Sequence, residues 1–339
     1  FYIQDAEELT IRSNASTCLK LFIDFVIRGE TSEEKDNVLL NLLYPGLRNV
    51  LNNKSELVRA EALGVLAYAV SQCTHLEVFA EMQTLMAEDE ESNVFNNIYH
   101  LQIHRRARAL RRLVECCAGS AIREASINGI FVPIVGHIIS GATEKSDDNL
   151  INEAVRTLGS LSTSLGWSRY QSLVLTYLRL ATVKGGNQKH FVRAISAILD
   201  NFHFAMDDDI ADEAYEEEQT PALLDGDVDE RNDDEGTEQQ EFRRKEAKRI
   251  ADYITGRLLP ALIKFVEQKD ETEDSIRIPV AVGVVKVARA LPEETRNAEV
   301  TRTITVLSQI LRSKDYNVRK LVKKTLSSIA IILGPEWLG

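Results

Sequence analysis

Leu43-Tyr44-Pro45-Gly46-Leu47 returns as Phe131-Val132-Pro133-Ile134-Val135 and again as Leu258-Leu259-Pro260-Ala261-Leu262. Each copy has a large apolar residue two places before and two places after a proline. Pro45 and Pro133 lie 88 residues apart, twice 44. A proline inside a helix removes a backbone hydrogen bond and kinks the chain, at a cost of about 3 kcal/mol or more. The same cost at matching places reads as a repeated architecture. Leu333-Gly334-Pro335-Glu336-Trp337 fits the pattern and reads as the opening of a further unit's first helix.

A second element recurs between the prolines. Arg12, Arg59, Arg106, Asn152, Arg193, Arg277 and Arg319 are separated by steps of 47, 47, 46, 41, 84 and 42 residues. The step of 84 is one unit plus an insertion of similar size. Seven places after these anchors stand Leu19, Leu66, Leu113, Gly159, Asp200, Val284 and Leu326, five of them large and apolar. Gly159 and Asp200 depart, so the middle units are less regular. Eleven places after come Ile23, Val70, Cys117, Thr163, Phe204, Ala288 and Ala330. Offsets of seven and eleven return to one helix face. Each unit is therefore read as a kinked first helix, a turn and a second helix. A period of about 40–47 residues built from two helices is that of HEAT and armadillo repeats. One such pair cannot bury its apolar face alone, whereas stacked pairs share a continuous core. No alternating pattern of useful length occurs, so no strand is assigned. The expected fold is all-α, an α-solenoid of about seven helix pairs. Glu8, Glu56, Glu273 and Asp315 stand three or four residues before Arg12, Arg59, Arg277 and Arg319. They are read as caps and ion-pair partners that build a ladder from unit to unit.

The 339 residues carry a formal charge of −12. The mean conceals two parts. Residues 207–241 hold seventeen Asp and Glu against the single basic Arg231, which gives −16 and leaves +4 on the rest (−12 less −16). With few large apolar groups to offset ordering entropy, 207–241 is expected to be a disordered acidic insertion. Helical repeats are expected over 1–206 and again over 242–339. The chain is 44% hydrophobic, enough for a large core. Four cysteines without a CxxC pair argue against a disulfide scaffold and fit a reducing compartment. No apolar run approaches the ~18 residues of a membrane span. The chain opens on Phe1 with no leader-like segment and is expected to be an internal piece of a longer solenoid.

Chemistry-bearing residues are sparse. The six histidines are scattered and form no HExxH pair, and Cys73 with His75 falls short of the four ligands zinc requires. Cys116-Cys117 reads as core. Gly185-Gly186 reads as a turn, since neither GxGxxG nor the Walker pattern occurs. No nucleophile, base and orienter assemble, so no catalytic residue, metal or cofactor is expected. One stretch stands out. His104-Arg105-Arg106-Ala107-Arg108-Ala109-Leu110-Arg111-Arg112-Leu113 holds five arginines in eight residues. On a helix, Ile103, Arg106, Ala107, Leu110, Leu113, Val114 and Cys117 share the core face. His104, Arg105, Arg108 and Arg112 point the other way, with Arg111 at the border. Two readings stay open. The arginines form a solvated face paired with neighbouring acids such as Glu115 and Glu88 to Glu91. Alternatively, Arg105, Arg108, Arg111 and Arg112 bind RNA phosphate or another polyanion.

The run from Ile98 to Leu113 resembles a hallmark of the Down-regulated-in-metastasis family, and the acidic insertion and the stretch from Arg319 to Pro335 are similar to that family as well. Its members are very large helical-repeat proteins, component 20 of the small-subunit processome. The resemblance implies a nucleolar scaffold without enzymatic activity. It would act in pre-ribosomal RNA processing and small ribosomal subunit assembly, bound to pre-rRNA, small nucleolar RNA and other assembly factors. A transport receptor or phosphatase-type scaffold of the same repeat class, or the helical region of a giant kinase, is the alternative.

Overall fold

The computed structural model describes residues 9–29, 32–119, 121–143, 148–183, 187–206, 233–268 and 276–334. Among the described residues every regular element is helical, and the fold is all-α, of the HEAT/armadillo type. Helix α1 is Leu9–Arg28. Helix α2 joins Ser32–Val38, a π-turn Leu39–Leu43 and Tyr44–Leu51. Helix α3 is Glu56–Gln72, and α4 is Ile103–Ala118. Helix α5 joins Glu124–Ser126, a π-turn Ile127–Phe131 and Val132–Ser140. Helices α6, α7 and α8 are Asp148–Ser162, Trp167–Thr182 and Gln188–Asp200. Helix α9 joins Asp233–Tyr253, a π-turn Ile254–Leu258 and Leu259–Glu267. Helices α10, α11 and α12 are Val280–Arg289, Glu293–Ile310 and Tyr316–Leu333.

Two compact units divide the chain. One holds residues 1–170 with 185–197; the other holds 171–184 with 198–339. Helices α1 to α6 lie in the first unit and α9 to α12 in the second, while α7 and α8 contribute to both.

The three proline motifs all take one form. Each proline occupies the second residue of an α-segment that follows a five-residue π-turn. The N–H just ahead of the proline reaches back five residues: Tyr44 to the Leu39 carbonyl, Val132 to Ile127, Leu259 to Ile254. Proline has no N–H to give, and in an α-helix its ring would meet the carbonyl four residues back. One wide turn accommodates both problems without ending the helix. The apolar residues flanking each proline are four apart and so share a face, which is buried: Leu43 and Leu47, Phe131 and Val135, Leu258 and Leu262.

Two expectations about the units need correction. Leu333 does not open a first helix; it ends α12, and Gly334 beyond it takes φ 81°, the left-handed conformation that glycine tolerates at a helix end. Pro335 and the residues after it lie outside the described residues. Nor does the unit carrying Arg106 have a long first helix. Short turns at Glu77–Ala80, Gln83–Leu85 and Val94–Asn97 take its place. Phe79, Met82, Leu85, Phe95 and Ile98 still fill the core from these turns. The acidic run from Glu88 to Glu91 between them has no apolar face that a continuous helix could bury.

Residues 207–232 of the acidic insertion lie outside the described residues. Residues 233–241, expected to be disordered with them, form the first turns of α9. The residues of this stretch and of the basic run behind it are mostly good helix formers, and Glu241 pairs with Lys245 one turn on, at 2.7 Å.

The anchor positions hold the units together. Arg59 is buried. Its Nη1 donates to the Asn53 and Lys54 carbonyls at 2.7 and 2.8 Å, and its Nε donates to the Tyr99 hydroxyl at 3.0 Å. Arg319 repeats this in the other unit, with Nη1 donating to the Ser313 and Lys314 carbonyls at 2.8 and 2.7 Å. Asp315 caps α12 by accepting from Asn317 N–H at 2.7 Å, as expected of it. Glu56 behaves otherwise. It pairs with Arg106, the anchor of the following unit, through contacts of 3.3 and 3.1 Å. Arg193 likewise donates to the Asn152 side chain of the unit before it. Glu8 and Glu273 lie outside the described residues.

A second set of rungs joins the turns ahead of the first helices. The Glu81 carboxylate accepts from Arg123 Nε at 2.6 Å and from Arg123 N–H at 3.3 Å, at the start of α5. Glu124, one repeat later, accepts from Gly166 N–H at 2.8 Å, at the start of α7, and pairs with Arg169 at 3.4 Å. A carboxylate here satisfies orphan donors of the next unit and meets the positive end of its helix.

Arg59→Ala and Arg319→Ala each leave two turn carbonyls without their charged donor and are expected to lower stability by about 2–4 kcal/mol, read by denaturant unfolding. A lysine at either position cannot hold both carbonyls in the same planar geometry and is expected to recover less than half of the loss. In the second unit, a methyl group at Gly283 would stand 2.7 Å from Leu199 Cβ. Gly283→Ala is expected to cost about 1–3 kcal/mol by the same measurement.

Candidate nucleic-acid interface

Helix α4 places the arginine run. Ala107, Leu110, Leu113 and Cys117 are buried as the pattern requires. Ala109 and Cys116 are buried too, which widens the core face. Helix α6 packs along α4, and Cys116 Sγ donates to the Thr84 carbonyl at 3.3 Å. Ile103, expected in the core, is 43% exposed because it is the first residue of the helix and overhangs its end.

The four candidate arginines do not stand bare. Arg108 pairs with Glu91 from the acidic turn. Arg112 pairs with Glu115 one turn along its own helix at 3.1 Å. Arg111 reaches Glu153 on α6 at 3.3 Å. All three arginines stay largely in solvent, with 48%, 44% and 61% of the side chain exposed. The contacts with Glu91 and Glu115 were expected among the neighbouring acids; the contact with Glu153, from the next repeat, was not.

Arg105 differs. Among the described residues it has no carboxylate partner, and its Nε is buried without an acceptor. Its Nη1 lies 3.1 Å from His100 Nε2. His100 Nδ1 already accepts from Gln102 N–H at 3.0 Å. A neutral imidazole whose Nδ1 accepts carries its proton on Nε2, so the guanidinium there faces a donor rather than an acceptor. The charge of Arg105 is therefore the least satisfied on this face, and an incoming oxyanion would find it unopposed.

Arg106 plays the structural part expected of an anchor. It holds Glu56 and lies 5.9 Å from the Tyr99 ring centroid, with Arg59 at 5.5 Å from the same ring. The Tyr99 hydroxyl is pushed to a higher pKa by burial, against the opposing pull of Arg59.

Other chemistry is sparse on the described residues. Burial pushes the Cys117 thiol up to about 12 and the Cys73 thiol to about 11, so neither supplies a thiolate near neutral pH. No group of three or more His, Cys, Asp and Glu among the described residues is arranged to hold a metal ion, and no helix there is long and apolar enough to cross a membrane.

A helical-repeat protein with an arginine-rich helix face is the class that fold and site define. The model of "U3 small nucleolar RNA-associated protein 20, N-terminal" matches residues 1–55, and that of "U3 small nucleolar RNA-associated protein 20 domain" matches residues 267–339. U3 small nucleolar RNA-associated protein 20 of Schizosaccharomyces pombe is 31% identical over 350 residues, covering 100% of this chain. Its Saccharomyces cerevisiae counterpart is 28% identical over 341 residues, covering 99%. The chain belongs to this family and spans 13% of the length of either relative. The run from Ile98 to Leu113 that carried the resemblance lies outside both family models but inside the whole-chain alignments. Among solved structures, a designed armadillo repeat protein in complex with the peptide (KR)4 aligns over 96% of both chains at 14% identity and a TM-score of 0.33. A second designed armadillo repeat protein aligns at 14% identity and a TM-score of 0.30.

The Arg108–Glu91 and Arg112–Glu115 pairs are solvent-exposed and each is worth little. Arg108→Ala, Glu91→Ala and their combination are each expected to shift stability by less than about 1 kcal/mol, with a coupling of about 0.2–1 kcal/mol in the double-mutant cycle.

Proposed function

We propose that this chain is part of a non-enzymatic scaffold of the small-subunit processome, acting in the nucleolus in pre-ribosomal RNA processing and small-subunit assembly. Its partners on this reading are pre-rRNA, small nucleolar RNA and other assembly factors. Membership of a family named for association with U3 small nucleolar RNA supports the setting.

The arginine face of α4 is the point of RNA contact. Arg105 carries the reading, because among the described residues its guanidinium has no carboxylate partner and its Nη1 meets only His100. Arg108 and Arg112 join it by exchanging exposed intramolecular carboxylates for phosphate, and Arg111 joins by turning its exposed guanidinium from the half-buried Glu153. The exchange costs little, since an exposed ion pair is worth at most about 1 kcal/mol. Phosphate contacts displace condensed counterions, so binding depends steeply on salt and weakly on sequence.

The test is the affinity of the chain for single-stranded and structured RNA at several salt concentrations. Arg105→Glu, Arg108→Glu and Arg112→Glu together are expected to flatten the slope of log affinity against log salt by about 2, at about 0.7–0.9 per phosphate contact, with helicity unchanged. Glu91→Gln is expected to strengthen binding by freeing Arg108. Arg106→Ala serves as the structural control, lowering the melting temperature more than the affinity. Unchanged RNA affinity in the triple variant contradicts the assignment of this face.

A further inference from the structure

A groove in the first unit lies beside the arginine face but is built differently. Its volume is about 690 Å³, within the ~300–1,000 Å³ range of ligand pockets. Three second helices present their first turns to it: α3 through Glu56 and Arg59, α4 through Ile103 and Arg106, and α6 through Leu150 and Ile151. The turn before α3 adds Lys54, and the last turn of α5 forms the facing wall.

The charge of this groove is one-sided. Lys54, Arg59 and Arg106 line it against the single carboxylate of Glu56, which leaves +2. The described contacts of Arg59 are to neutral groups alone, two backbone carbonyls and a tyrosine hydroxyl. The Nε of Arg106 is buried without an acceptor. The starts of α3 and α4, which have no side-chain cap, add to the positive potential through the positive ends of their dipoles. His137, on the facing wall, is pushed toward the neutral form by burial and by Arg59, so it contributes no charge of its own.

The lining is partly apolar. Ile103, in the groove, is 43% exposed, and Leu57 and Leu101, one and two residues along the chain from Glu56 and Ile103, are 58% and 97% exposed. No Phe, Tyr or Trp lines the groove, and Tyr99 is already taken up by Arg59 and Arg106. Single-stranded nucleic acid uses aromatic platforms for its bases, and none is offered here. Cations interleaved with exposed aliphatic groups instead suit a peptide that carries carboxylates and aliphatic side chains together.

We propose that this groove binds an acidic, leucine-rich peptide segment of a partner protein. The carboxylates sit on Lys54, in the positive field of Arg59 and Arg106. The aliphatic side chains cover Ile103. The groove is thus a protein-docking site distinct from the arginine face of α4.

Fluorescence anisotropy with the labelled peptide (Asp-Glu-Leu)4 tests this on the full chain. The expected result is binding with a Kd below about 100 μM, at least about tenfold weaker binding of (Asp-Glu-Ser)4 and none of (Lys-Arg-Leu)4. Lys54→Glu and Ile103→Asp, both at exposed positions, are each expected to weaken the peptide about tenfold without lowering the melting temperature. Arg108→Glu, on the other face, is expected to leave peptide affinity unchanged. That separates failure of this site from failure of the RNA-binding face. Absence of binding, or equal binding to wild type and both groove variants, overturns the proposal. Displacement of the peptide by a uridine dodecamer whose own binding is lost in Lys54→Glu would give the groove to RNA and overturn it equally.

Discussion

A guanidinium, buried at Arg59 and half-buried at Arg319, bonded to the two carbonyls of the turn that precedes its own helix is the constraint on which the rest of this structure depends. Arg59 and Arg319 make the same pair of bonds in different units of the molecule, five and six residues back along the chain. Burying a positive charge is costly unless its donors are met. Backbone carbonyls meet them here without a countercharge, and the bonds fix where the turn ends and the second helix begins. The link to the next unit then runs through different atoms: Glu56 to Arg106, Asn152 to Arg193, and Glu81 and Glu124 to the starts of later helices. The repeats of Arg59 and Arg319 thus close on themselves through an arginine, while neighbouring repeats in the first unit join through a carboxylate or amide.

That arrangement has a consequence for function. The first turns of α3, α4 and α6 meet at one groove, along with the anchor arginines of α3 and α4. The same register turns the remaining arginines of α4 outward. The chain therefore offers positive charge in two settings. One is a partly apolar groove whose charge belongs to the fold. The other is an exposed face whose arginines pair with Glu91, Glu115 and Glu153.

Much of the fold was legible because the repeats announce themselves at fixed spacing. The anchor residues, the proline motifs and the buried positions seven and eleven residues beyond Arg59 and Arg106 could all be read directly. The π-turns could not be, since nothing in Leu-Tyr-Pro-Gly-Leu distinguishes a wide turn from a simple kink. The broken first helix between α3 and α4 was masked by its apolar residues, which fill the core as a helix would. At the candidate site, the partners Glu91 and Glu115 are near enough along the chain to be anticipated. Glu153 is not, because it arrives with the next repeat. The predicament of Arg105 depends on which nitrogen of His100 accepts a backbone hydrogen bond, a detail with no signal in sequence. The groove was missed for a related reason. Lys54, Arg59 and Arg106 read singly as turn and ladder residues, and only their convergence shows a surplus of charge.

The central claim is that the arginine face of α4 touches RNA in the assembled particle. Ultraviolet crosslinking of the intact pre-ribosomal particle, followed by mass spectrometry of the peptides covering 103–118, tests it most directly. The account predicts nucleotide adducts within His104 to Arg112 that disappear when Arg105, Arg108 and Arg112 are changed to glutamate. Adducts confined to other parts of the chain, or peptides from this helix crosslinked only to protein, would contradict it.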